Sequence, residues 1–170
     1  MKKDGEFFNL MEDYNFLVLN EFNNKNNVFD SLSRLEEYSP ADASGITNNK
    51  KILIETKART GNTKSFKDFI IESKKVAYLL LKWLTEGFIP LYINFLDIEN
   101  ADMPNKIAIW RLDKLSKWKY IPLSKTWTNG YKKQEVRERF LLSLDDATIY
   151  VKEDPWGSYY KIVQDRYVLR

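Results

Sequence analysis

Along residues 51–58 the chain reads Lys51-Ile52-Leu53-Ile54-Glu55-Thr56-Lys57-Ala58, an apolar strand with two charges planted in it. Side chains on a strand alternate faces, so Ile52, Ile54 and Thr56 share one face and Leu53, Glu55 and Lys57 the other. Burying charge is costly unless it is paired or binds a metal, so the position of Glu55 and Lys57 demands a reason. Upstream, Phe7, Met11, Tyr14, Leu17 or Val18 and Phe22 recur at helical spacing and predict a helix over 5–22, ended by the polar run at 23–27. Residues 28–38 fit a short helix or a strand equally. Pro40 excludes a helix interior, so 38–46 is expected to be a short strand or its edge. Asn48-Asn49-Lys50 then turns the chain into the charged strand, which places Asp42 on one arm of a hairpin and Glu55 and Lys57 on the other.

After a loop at 59–64, Phe66, Phe69, Ile70, Ser73, Val76, Ala77, Leu80 and Leu84 form a stripe that predicts a helix from about 65 to 86. Ser65 is its expected N-cap and Gly87 its stop. Residues 88–96 form a second apolar strand, expected to be covered on both faces. A loop at 97–105 leads to a strand at 106–112 and a helical turn within 113–118. Residues 119–134 look irregular, with Asn129-Gly130 as a hairpin turn. Residues 134–144 fit a strand or a short helix, 147–152 a strand, and 158–169 alternates in a tyrosine-rich way after the turn at Asp154-Pro155-Trp156-Gly157. The order predicts one α/β domain over 1–170: a central mixed β-sheet flanked by helices, with a β-rich, aromatic C-terminal extension after about residue 112.

Composition narrows the chemistry. The 170 residues include no cysteine and no histidine. That removes disulfides, thiolate sites and histidine-based catalysis, and leaves any metal to oxygen ligands, which favours Mg2+ or Mn2+. The first 30 residues lack the pattern of a signal peptide, and no apolar run is long enough to span a bilayer, so a cytoplasmic protein with no membrane contact is expected. Net charge is +3, but residues 1–42 carry four Lys or Arg against nine Asp or Glu, and residues 106–139 ten against three. The chain is acidic at one end and basic in its third quarter. There, Trp110, Trp118 and Trp127 alternate with Arg111, Lys114, Lys117, Lys119 and Lys125, which suits contact with DNA phosphates and bases, or else core rings beside a solvated surface.

Ser39-Pro40-Ala41-Asp42, a turn, then Ile54-Glu55-Thr56-Lys57, followed by an amphipathic helix, resembles the PD-(D/E)XK nuclease superfamily, the restriction-endonuclease-like fold that also includes Holliday junction resolvases and phage nucleases. One extra residue separates Pro40 from Asp42 relative to the usual Pro-Asp. The resemblance covers roughly residues 5–112. It implies a Mg2+- or Mn2+-dependent DNA nuclease, resolvase-like in its preference for DNA structure and encoded by a phage or mobile element. Asp42, Glu55 and the Thr56 carbonyl would hold the metal, and Lys57 would act on water or developing charge. An accessory glutamate from the first helix is expected, with Glu12 the candidate and Glu21 its competitor. Lys75, Arg59, Lys117 and Lys119 are the expected DNA contacts, and a homodimer would serve two-strand cutting. The rival expectations are a module that keeps the fold without turnover, binding nucleic acid, and a protein-interaction domain built on the aromatic C-terminal third.

Overall fold

The computed structural model describes residues 4–60, 63–64, 66–99, 103–116, 118–127 and 134–162; of 4–13, 122–127 and 134–137 it describes the backbone. Helix α1 (Asp4–Asn26) runs four residues past its expected end, and Asn27, at φ 51°, stops it. The ambiguous stretch after it yields a short strand, β1 (Ser31–Arg34), paired antiparallel with β2 (Ala43–Thr47). Gly45 of β2 is needed where it stands, because a Cβ there would lie 2.1 Å from the Ser31 carbonyl oxygen. Asn48 and Asn49, at φ 48° and 63°, make the two-residue hairpin turn between β2 and β3 (Lys50–Ala58). Asparagine tolerates the left-handed backbone that such a turn requires.

The expected long helix is the main correction. Residues 68–72 are strand β4, and helix α2 (Ser73–Glu86) begins only after it. Phe69 and Ile71 are buried on one face of β4, whereas the helical reading had run its stripe through Phe69 and Ile70. Strand β4 pairs with a distant partner, β8 (Gln134–Ser143), and that pairing overrides local helical periodicity. The expected N-cap, Ser65, lies outside the described residues. Gly87 ends α2 as expected, at φ 76°, with its N–H donating to the Trp83 carbonyl.

Strand β5 (Ile89–Leu96) is buried throughout and lies parallel to β3, so α2 with β4 forms the crossover between them. Pro90 is tolerated because it precedes the register shared with β6 (Lys106–Arg111), which starts at Leu91. A 3-10 turn at Leu112–Lys114 follows. The stretch expected to be irregular is instead β7 (Lys119–Trp127), antiparallel to β8; the turn expected at Asn129-Gly130 lies outside the described residues. A second 3-10 turn at Leu144–Asp146 leads to β9 (Thr148–Lys152) and β10 (Tyr159–Ile162).

The architecture is α/β, with a seven-stranded mixed sheet in the order β1-β2-β3-β5-β6-β9-β10 and a three-stranded sheet β4-β8-β7. The C-terminal third is therefore not an appendage, since β9 and β10 extend the main sheet beyond β6. One face of the main sheet, carrying Ile52, Ile54, Leu91, Ile93, Phe95, Ile107 and Ile109, packs on Val18, Leu19 and Phe22 of α1. The other, carrying Leu53, Tyr92, Leu96, Ala108 and Trp110, packs on Phe69 and Ile71 of β4, Val76 and Leu79 of α2, and Leu142 of β8. Among the described residues no helix is long and apolar enough to cross a membrane.

Candidate active site

Asp42 immediately precedes β2, and its N–H donates to the Ile54 carbonyl at 2.9 Å, so the hairpin register itself sets Asp42 beside β3. Its Oδ2 accepts from the Thr56 N–H at 2.7 Å and from the Thr56 hydroxyl at 2.8 Å. Two donors on one oxygen fix the carboxylate's orientation. Thr56, whose carbonyl is the expected metal ligand, also clamps Asp42 through its N–H and hydroxyl.

Glu55 lies on the opposite face of β3 from Ile54, as the alternation requires, and is 3% exposed. Its partner is Lys75 of α2, whose Nζ pairs with Oε1. Oε2 is buried with no hydrogen-bond partner. Burial pushes the Glu55 carboxyl up to about 7, and the nearby Asp42 charge adds to this against the pull of Lys75 and Lys57. A buried carboxyl with an unsatisfied oxygen next to a second, rigidly held carboxylate is a donor set of the hard-oxygen kind that Mg2+ and Mn2+ accept. The residues present fit such an ion, and Asp42 and Glu55 are those that could hold it. Among the described residues no group of three or more His, Cys, Asp or Glu is placed to hold a metal ion.

Lys57 projects from the same face as Glu55 and reaches the surface. Burial of its stem, with Arg59 and Lys75 close by, lowers its ammonium pKa. Lys75 moves the other way: burial pulls it down, but the Glu55 charge and hydrogen bond outweigh that, and the net direction is up.

Asp42, Thr56, Glu72 and Lys75 line a cavity of about 320 Å3, together with Arg34 and Lys74 and with Phe16 and Leu19 of α1. Glu72, which falls within the helix expected over 65–86 but off its apolar stripe, is in fact the last residue of β4, and its charge acts on both Lys57 and Lys75. The strand-to-helix junction that puts it there was hidden by the helical stripe.

Of the α1 candidates, Glu12 stands four and seven residues before Phe16 and Leu19, the helix positions that line the cavity, although its side chain lies outside the described residues. Glu21 is exposed. Arg59, expected to contact DNA, is instead turned into the protein. Its Nε donates to Asn94 Oδ1 at 2.9 Å, and one terminal nitrogen donates to the Ile70 carbonyl at 2.6 Å and to Tyr92 Oη at 3.1 Å. It ties β3, β5 and β4 together behind the site. Lys119 is exposed at the start of β7, and Lys117 lies outside the described residues. Of the tryptophans read as either DNA contacts or core rings, Trp110 is a core ring, fully buried with its Nε1 donating to the Ser143 carbonyl at 2.8 Å, whereas Trp118 is 40% exposed against Phe140. No protein-family model matches the chain, and no match is found among curated proteins.

Proposed function

We propose that the protein is a Mg2+- or Mn2+-dependent nuclease of the PD-(D/E)XK type that hydrolyses phosphodiester bonds in DNA. The observation that carries the reading is the buried Glu55, one oxygen unpartnered, beside an Asp42 locked by Thr56. The order of elements supports it: Asp42 immediately before the second strand, the Asn48-Asn49 turn, Glu55 and Lys57 on the third, then β4 and the amphipathic α2 crossing over to the parallel β5.

A divalent ion at this position supplies charge neutralisation on the phosphate and a water activated near neutral pH. Asp42 and Glu55 hold it. Lys57, at the surface end of the same strand face, orients the attacking water or meets the charge that develops on the phosphate. Lys75, Lys74 and Arg34 are the cations of a cavity wall that also carries Glu36, Glu37, Asp42 and Glu72, and they are the groups that would meet a phosphate there. Lys119, exposed at the start of β7, is a further cation for contact with DNA.

The test is cleavage of linear, branched and single-stranded DNA with Mg2+ or Mn2+. We expect activity in the wild type and its loss, by three orders of magnitude or so in the manner of removing a metal's charge stabilisation, in Asp42→Ala, Glu55→Gln and Lys57→Ala, with folding retained. Failure of the wild type on every DNA form refutes the nuclease reading, and metal binding without cleavage favours a module that keeps the fold without turnover.

A further inference from the structure

We propose that Lys75 is a built-in counter-ion that occupies Glu55 until a divalent ion takes its place, and that its displaced ammonium then serves the cavity as an anion-binding group. The inference rests on the reading of Asp42 and Glu55 as metal ligands.

The pairing is not the one the strand suggests. Lys57 is two residues from Glu55 and on the same face, yet Glu55 Oε1 is taken by Lys75, twenty residues further on. A buried carboxylate left alone is costly, and an ammonium supplied by the first turn of α2 offsets that cost. The exposures of the two partners differ: the Glu55 side chain is 5% exposed and that of Lys75 42%. The ammonium therefore reaches the carboxylate from the solvent side, at the end of a flexible four-carbon stem, and can withdraw the way it came.

Both cations cannot share the carboxylate without repulsion. An ammonium on Oε1 and a dication using the same group would sit a few ångströms apart in a partly desolvated site, where like charges repel strongly. Lys75 already lines the cavity with Arg34 and Lys74, alongside the acidic Glu36, Glu37, Asp42 and Glu72. Once displaced, its ammonium joins the two other cations, and with Asp42 engaged by the ion the balance of the wall shifts toward binding an anion. Because coupling is reciprocal, phosphate held by the freed ammonium tightens the metal in turn.

The test is calorimetric titration of the full chain with Mn2+, comparing wild type, Lys75→Met and Lys75→Arg. We expect Lys75→Met to bind Mn2+ about tenfold more tightly than wild type, a coupling of ordinary size. Lys75→Arg, which keeps the competing charge, should bind no more tightly than wild type. If wild type binds Mn2+ and Lys75→Met binds equally or more weakly, Lys75 is only a structural support; the inference is overturned while the metal site stands. If neither binds, the metal reading fails and takes this inference with it. Should Lys75→Met not fold, 13C-dimethylated lysines give a second readout. The Lys75 resonance, assigned by its absence in Lys75→Arg, should shift on saturation with Mg2+, and an unmoved resonance overturns the proposal.

Discussion

The two faces of the central strands are built from the same backbone and differ in almost everything else. Toward α1, β3 and β5 present Ile52, Ile54, Leu91, Ile93 and Phe95, a dry surface packed on Leu19 and Phe22. Toward β4 and α2 the same strands present Leu53 and Leu96 but also Glu55, Lys57, Tyr92 and Asn94, with Arg59 behind them. Asn94 is fully buried with its Nδ2 unpartnered, and Glu55 has an unpartnered oxygen. One face spends its burial on stability. The other carries desolvated polar groups that cost stability unless something binds them. That contrast is what singles out the polar face as the candidate site.

The sharpest way to break the contrast is through stability. Ile54→Ala removes a fully buried side chain from the dry face and should cost about 2–5 kcal/mol in urea unfolding. The folded protein should still bind metal, since Asp42 and Glu55 keep their backbone frame. Its neighbour in sequence should behave in the opposite way. The folded Glu55 carboxyl titrates near 7, above its ordinary 4.5, so the folded state holds that proton more tightly than the unfolded chain does. The stabilisation from this group is complete below about pH 4.5 and is lost as pH rises through 7, by up to about 3 kcal/mol in the absence of metal. Glu55→Gln should flatten that part of the pH–stability profile and, at pH 8 in EDTA, be at least as stable as wild type. A profile for Glu55→Gln that falls as steeply as wild type would remove the distinction between the faces.

The site strand was legible because its signal is local. Period-2 alternation around Glu55 assigns faces without any knowledge of neighbours, and Asn48-Asn49 fixes the hairpin that delivers Asp42. Strands β5 and β6 were legible for the same reason, being short apolar runs between turn residues. The second sheet was not. Phe69 and Ile70 satisfy a helical stripe while Phe69 and Ile71 satisfy a strand pattern, and what decides between them is β8, more than sixty residues away. Strand β7 carries Pro122 and a register shift between Ile121 and Ser124, which breaks the alternation that would have announced it. The same long-range contacts explain why the site was only partly visible. Glu72 faces the cavity because β4 ends there, and Lys75 meets Glu55 because α2 starts one residue later. Arg59 looked like a free cation in a loop, and only the fold reveals Asn94, Tyr92 and the Ile70 carbonyl waiting for it.

The central claim is that Asp42 and Glu55 together form a cation site on the polar face. Calorimetric titration of the metal-free protein with Mn2+ at pH 7.5 or so, near the working range of oxygen-ligated ions, measures it most directly. The account predicts one ion bound per chain in wild type and no measurable binding in either Asp42→Ala or Glu55→Gln, each folded by circular dichroism. Wild-type protein that takes up no Mn2+, or uptake unchanged in both variants, would contradict it.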